Sequence, residues 1–381
     1  MTYSINTRVV HGDNSYDIST GAISFPIYQS ATFRHPALHE STGFDYSRET
    51  NPTRQKVEKT IAILEGGEEG FAFSTGMAAI DNLFQVFSPG DHILVSNDLY
   101  GGTYRLFEKM YKKYGLSFTY IDTSKTINVR EGTRENTRGI FIETPTNPMM
   151  RISNIREICD FAVSKNILTI VDNTFLTPYY QRPLELGADV VIHSGTKFLG
   201  GHNDLLSGLL VVKEKGELAE QIRLIQKTLG GVLAPFDSWL LLRGMKTLGI
   251  RMDKQQESAF KIAHWLKENK NVKQVYYPGL LEHEGHEVCK NQASGFGAMI
   301  SFTVQNVEMV EKILKDVKLI AFAESLGGVE TLITYPMIQT HASIPVEILN
   351  TLGVTNTLLR LSVGIESAED IIKDLEYAME G

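Results

Sequence analysis

Cysteine is scarce: Cys159 and Cys289 are the only two in 381 residues. That excludes a disulfide-stapled scaffold and a cysteine-rich metal centre, and it suits a reducing compartment. Cys159 falls in an apolar helical pattern with Ile155, Ile158 and Ala162, the setting of a buried, reduced thiol. No apolar run approaches the roughly 18 residues that would mark a membrane span. The opening stretch from Met1 to Val10 lacks the apolar centre of a secretion signal. Positive charge is in deficit, with 37 Lys and Arg against 45 Asp and Glu and a formal charge of −8. Such a chain is not a general nucleic-acid binder, although a few placed donors can still hold one phosphate. Internal repeats and low-complexity segments are missing too, which excludes repeat architectures. His283 and His286 have a spacing seen in metal sites, but no cysteine or third histidine accompanies them, so no metal is expected. The expectation is a soluble cytoplasmic protein with no membrane or nucleic-acid partner.

Hydrophobic residues make up 42% and charged residues 22% of the chain, the balance of a globular protein. Its length predicts two domains or three. Residues 1–51 are rich in Ser, Thr, His, Asn and Gly and show little helical or strand period. An arm of that kind lies on its own domain or crosses to a neighbouring subunit. From 52 to 235 short apolar runs at 71–73, 92–95, 118–121, 139–142, 167–171, 188–192 and 208–212 alternate with helical stretches. Strands alternating with helices predict a mainly parallel sheet covered on both faces, with ligands beyond the carboxyl ends of its strands. A long helical segment follows over 236–269, broken at Gly244 or Gly249. Residues 236–381 then mix strands at 273–277, 298–304, 319–324, 331–335 and 358–363 with helices, the pattern of a smaller α+β domain.

Several motifs fall at that predicted sheet edge. The apolar strand Val190-Val191-Ile192 runs into Ser194-Gly195-Thr196-Lys197. A lysine leaving a buried strand beside hydroxyls able to hold a phosphate suits an imine-forming nucleophile. A lone lysine is more often a solvated surface residue, and a nucleotide phosphate loop is excluded because the glycine spacing is wrong. Ile170-Val171-Asp172 delivers a carboxylate to the same edge, 25 residues before Lys197. Asp172 would keep a cofactor pyridine nitrogen protonated; it equally suits a helix N-cap. Phe73-Ser74-Thr75-Gly76-Met77 turns from a strand into a helix, whose first N–H groups, at Gly76 and Met77, attract anions. Tyr100 lies between a strand and a helix, where its ring could stack on a flat cofactor; it could equally be a packed core tyrosine. In the arm, Arg48 suits a bidentate phosphate contact. Arg360, inside the apolar strand Leu359–Val363, needs an anionic partner, either a substrate carboxylate or a structural acid.

Taken in order, these motifs resemble the Cys/Met-metabolism family of pyridoxal-phosphate enzymes. The likeness runs from Tyr46-Ser47-Arg48 and Asn51-Pro52-Thr53-Arg54 through Ser74–Ala79, Tyr100-Gly101-Gly102-Thr103 and Glu143-Thr144-Pro145-Thr146-Asn147-Pro148. It continues through Val171–Thr174, Ser194–Lys197, Glu324–Gly328, Thr340-His341 and Leu359–Gly364. The resemblance implies an α/β fold of the type I aminotransferase-like kind, pyridoxal 5'-phosphate as cofactor, and a tetramer built as a dimer of dimers. By it, Lys197 forms the imine and moves protons, Asp172 pairs with the ring nitrogen, and Tyr100 stacks on the ring and deprotonates the incoming amine. Gly76, Met77, Thr174, Ser194 and Thr196 belong to the cofactor site, which Tyr46 and Arg48 complete from the partner subunit. Arg360 binds the substrate α-carboxylate with Asn147 and Ser325, and Glu324 suits a distal ammonium. The chain is most similar to the branch that replaces the γ-substituent of an O-acylhomoserine with cysteine or sulfide. Lyases that split cystathionine are the alternative. A methionine γ-lyase fits less well, because such enzymes usually carry cysteine where this chain has Gly102. From another class, a non-catalytic α/β binding protein would be colourless and indifferent to loss of Lys197.

Overall fold

The computed structural model describes residues 3–13 and 16–380. Seven strands make the large sheet: β1 (Glu69–Phe73), β2 (His92–Ser96), β3 (Ser117–Ile121), β4 (Thr137–Glu143), β5 (Leu168–Asp172), β6 (Val190–Ser194) and β7 (Gly208–Val212). Their order is β1-β7-β6-β5-β4-β2-β3. Only β7 runs against its neighbours, pairing antiparallel with both β1 and β6. The carboxyl ends of β1, β2, β4, β5 and β6 therefore share one edge. Alternation sorts the side chains: Ile140, Ile142, Val171 and Val191 enter one apolar core, and Phe141, Ile170 and Ile192 enter the other. Both faces are covered, as a mainly parallel sheet requires.

The predicted helical segment over 236–269 is two helices, Pro235–Met245 and Leu248–Glu268. The break falls at Lys246 and Thr247, between the two glycines rather than at either. Gly244 serves close packing instead, since a Cβ there would lie 2.2 Å from the Gly200 carbonyl oxygen. The smaller sheet contains β8 (Val272–Tyr276), β9 (Met299–Val304), β10 (Ala321–Phe322), β11 (Leu332–Thr334) and β12 (Leu358–Ser362), ordered β10-β11-β12-β9-β8. β10 is shorter than the run at 319–324 predicts. It is an edge strand with both residues exposed, so no second partner extends it. Residues Ile5–His11 form a short helix that the arm's composition concealed; only Val9 in it is buried. No helix among the described residues is long and apolar enough to cross a membrane.

Candidate active site

The strand ends build the site. Period-2 alternation carries Glu143, Asp172 and Ser194 onto the face of Phe141, Ile170 and Ile192. Glu143 and Asp172 are register partners on adjacent parallel strands, so two carboxyl groups stand side by side. Burial first, then the neighbouring Asp172 charge, push the Glu143 pKa up. Asp172 is also raised by burial, while hydrogen bonds from Thr174 and the charge of His193 pull it back. Thr174 donates to Asp172 Oδ1 through both its N–H (3.0 Å) and its hydroxyl (2.5 Å). A cation arriving in the pocket would let a carboxyl of this pair stay ionised.

The loops after β2 and β4 pin each other. Glu143 Oε2 accepts the Tyr100 N–H at 3.1 Å. Buried Asp98 accepts the Met149 N–H at 3.1 Å and the Thr146 hydroxyl, and burial raises its pKa to about 6. These bonds tie the loop that carries Tyr100 to the loop that carries Asn147. Tyr100 is 40% exposed, at the mouth of a cavity of about 320 Å³ that Gly76, Met77, Asp172, Ser194 and Lys197 also line. It is therefore no buried core tyrosine.

One end of the cavity is rich in free donors. The N–H groups of Gly76 and Met77, in the first turn of helix Gly76–Phe84, have no acceptor among the described residues. The Ser194 hydroxyl has none either, while the Thr196 hydroxyl donates to the Ser207 carbonyl at 3.3 Å and accepts the Ser207 N–H at 3.0 Å. At the other end Arg360 is 1% exposed. It donates to Asn147 Oδ1 (2.8 Å), the Ser325 carbonyl (3.1 Å) and Thr334 Oγ1 (3.1 Å). No carboxylate among the described residues pairs with it, and its Nε is buried without an acceptor. A structural acid is thus not what satisfies Arg360. Burial lowers its pKa to about 10, so it is still charged at neutral pH.

Lys197 sits between these ends. Its Nζ donates to Ser325 Oγ at 2.7 Å. Burial and the Arg360 charge lower its pKa to about 8, against the opposing pull of Glu324. Glu324 is exposed at the rim, with no ion pair among the described residues. Tyr46 is 46% exposed and, like Arg48, does not line the cavity of this chain; Arg48 reaches the Lys227 carbonyl instead. His283 and His286 hold backbone groups through their Nδ1 atoms. No metal-binding cluster exists among the described residues.

The arrangement fits a flat, anionic aldehyde cofactor. A desolvated amine, paired carboxyls that need a cation, and free donors suited to a phosphate line one cavity, and a carboxylate-seeking guanidinium stands beyond them. Sequence reasoning assigned no role to Glu143 or Thr340, both of which line the cavity. Glu143 carries the same signal as Asp172, an acid ending an apolar strand.

The family described as Cys/Met metabolism PLP-dependent enzyme matches residues 6–380. Cystathionine γ-synthase/O-acetylhomoserine (thiol)-lyase of Bacillus subtilis (strain 168) is 52% identical over 379 residues, covering 100% of this chain and 97% of that protein. Cystathionine β-lyase of Lactococcus lactis subsp. cremoris (strain MG1363) is 47% identical over 377 residues, covering 99% of each. Among solved structures, cystathionine γ-lyase from Lactobacillus plantarum complexed with L-serine gives a TM-score of 0.96 at 44% identity, covering 99% of this chain and 98% of that one.

Proposed function

Because the chain belongs to the Cys/Met-metabolism family of pyridoxal-phosphate-dependent enzymes, we propose that it is a γ-synthase-type transferase. It exchanges the acyloxy group of an O-acylhomoserine for cysteine or sulfide. The observation carrying this reading is a pair of opposite charges lining one cavity: buried Arg360 for an α-carboxylate, and rim-exposed Glu324, with no ion pair among the described residues, for a second ammonium. A substrate or product with an amino-acid group at each end would meet both, and joining cysteine to a homoserine skeleton makes such a product. Cleavage of that product is the second reading, favoured by the 47% identity to a β-lyase. Parallel product analysis decides: O-acetylhomoserine and O-succinylhomoserine with cysteine, against cystathionine alone. Cystathionine cleavage with no turnover of either acylhomoserine would overturn the synthase reading.

Pyridoxal phosphate, when bound, supplies an electron-withdrawing ring that acidifies the substrate Cα–H and Cβ–H and so lets the γ-substituent leave. In this reading Gly76, Met77, Ser194 and Thr196 would hold its phosphate, and Asp172, braced by Thr174, would supply the carboxylate for its ring nitrogen. Tyr46 and Arg48 reach that phosphate from a partner subunit in a cytoplasmic homotetramer, which accounts for their distance from this chain's own cavity. Arg360 and Asn147 orient the substrate carboxylate. The Tyr100 hydroxyl takes the proton of the incoming amine. Lys197 Nζ, once free, carries the Cα proton, with Ser325 Oγ as its hydrogen-bond partner.

Two expected results follow from these roles. An amine captures an aldehyde only when unprotonated, and Lys197 has its pKa lowered to about 8. Uptake of pyridoxal phosphate by the apoenzyme therefore accelerates as pH rises, with a midpoint near 8, and stopped-flow absorbance measures it. At Gly102, a Cβ would lie 2.3 Å from Tyr100 Cε1. Gly102→Ala displaces that ring and lowers kcat/KM by about 10- to 100-fold. Helix Gly101–Lys109 is not weakened, because alanine favours helix over glycine. Kinetics and a melting curve together check this.

A further inference from the structure

The helix Leu248–Glu268 carries two polar side chains, one turn apart, that the scheme above leaves unused. Arg251 is 4% exposed and Gln255 is fully buried. No carboxylate among the described residues meets Arg251. Its guanidinium donates to the carbonyls of Phe198 (2.7 Å), Gly244 (2.8 Å) and Leu199 (3.5 Å), and to Thr247 Oγ1 (3.0 Å). Burying an arginine without a counter-charge is costly, so the carbonyls it holds deserve an explanation. Phe198 and Leu199 are the two residues directly after Lys197. Gln255 donates its amide to the Gly328 carbonyl at 2.8 Å. Gly328 lies in the same β10–β11 connection as Ser325.

Those two segments lie on each other. A Cβ on Gly327 would fall 2.5 Å from the Phe198 nitrogen and 2.9 Å from the Lys197 carbonyl carbon. Strand β12 holds the loop from its other side: Ser362 Oγ accepts the Gly327 N–H at 2.8 Å, and Arg360 binds the Ser325 carbonyl. One helix face thus grips the lysine turn of the large sheet and the serine loop beside the small one, since residues four apart share a face. We propose that Arg251 and Gln255 are positioning residues that fix the Lys197 turn against the Ser325–Gly328 loop, keeping the lysine amine and the serine hydroxyl within hydrogen-bond distance. The inference rests on Lys197 being the cofactor-binding amine. Neither residue lines the cavity. Their effect is transmitted through backbone, and a misplacement of about 1 Å at the reacting atoms costs roughly 10²-fold in rate.

The test is pyridoxal-phosphate uptake by the apoenzyme against pH, together with turnover and melting temperature. The variants are Gln255→Leu, Arg251→Lys, Ser325→Ala and the double variant Gln255→Leu/Ser325→Ala. The charged groups bearing on Lys197, Arg360 and Glu324, stay unchanged in all of them. Ser325 Oγ accepts from the ammonium, so its loss disfavours the charged form and moves the uptake midpoint to lower pH. Gln255→Leu is expected to move the midpoint the same way and to lower kcat about tenfold or more. In the double variant it adds little beyond Ser325→Ala, because both act through one contact. Arg251→Lys keeps the charge but loses the fork, and it shifts the midpoint in the same direction. The proposal is overturned if Gln255→Leu and Arg251→Lys lower the melting temperature but leave midpoint and kcat at parental values. Full additivity of Gln255→Leu and Ser325→Ala also overturns it. A parallel Lys197→Ala protein that still forms the cofactor imine would refute the lysine assignment itself, an outcome separable from failure of the grip.

Discussion

Lys197→Ala is expected to lower kcat by at least about 10³-fold, the upper part of the range for loss of a positioned acid–base group. The argument is geometric before it is electrostatic. Lys197 Nζ is the amine placed between the donor-rich end of the cavity and Arg360, and Ser325 Oγ at 2.7 Å is its hydrogen-bond partner. Under the proposed function, removing it costs both the attachment point for the aldehyde and the base that carries the Cα proton, and no second lysine among the described residues lines the cavity to substitute. Folding suffers little. The single hydrogen bond lost is worth about 1 kcal/mol, and burial of the amine opposes its charged form anyway. The expected signature is a folded protein with a near-parental melting temperature, low turnover, and no borohydride-stable label at position 197. A variant retaining turnover within a few-fold of the parent would remove Lys197 from the chemistry.

The strand ends were legible because a parallel sheet buried on both faces leaves an obvious trace: an apolar run stopping at a polar residue. Asp172 and Lys197 follow such runs, and so does Glu143, which could have been found by the same rule. Arg360 was legible as a charge inside an apolar strand, but its partners were not. They are an amide and a carbonyl from two separate loops and a hydroxyl on the neighbouring strand β11, with no carboxylate to announce the pairing. Arg251 and Gln255 left no trace at all, because they act on backbone carbonyls, which look the same at every position in a sequence. The helix break misled for a related reason. Gly244 and Gly249 suggest chain breaks, yet both sit within helices where a neighbour comes too close for a side chain: the Gly200 backbone for one, the Tyr179 ring for the other.

Arg360→Ala is the second large effect. The side chain is 1% exposed, yet its Nε has no acceptor among the described residues. Glu143 and Glu324 bear on it only at longer range, as charges that favour its protonated form. A carboxylate entering the cavity would complete a desolvated ion pair, and truncating one partner of such a pair costs about 2–5 kcal/mol. That corresponds to a fall in kcat/KM of roughly 30- to several-thousand-fold. Some of the loss is structural, because Asn147 Oδ1, the Ser325 carbonyl and Thr334 Oγ1 each lose a donor, so the melting temperature also falls. A substrate analogue separates the two contributions. An amine lacking the α-carboxylate has nothing to lose at this residue, so the variant should process it nearly as well as the parent does, while the amino-acid substrate suffers the full penalty. Arg360→Lys keeps the positive charge but cannot donate to Asn147, Ser325, Thr334 and a carboxylate together, so it should recover stability more than KM. Equal losses on acid and amine would mean that the guanidinium braces the loops without meeting the substrate.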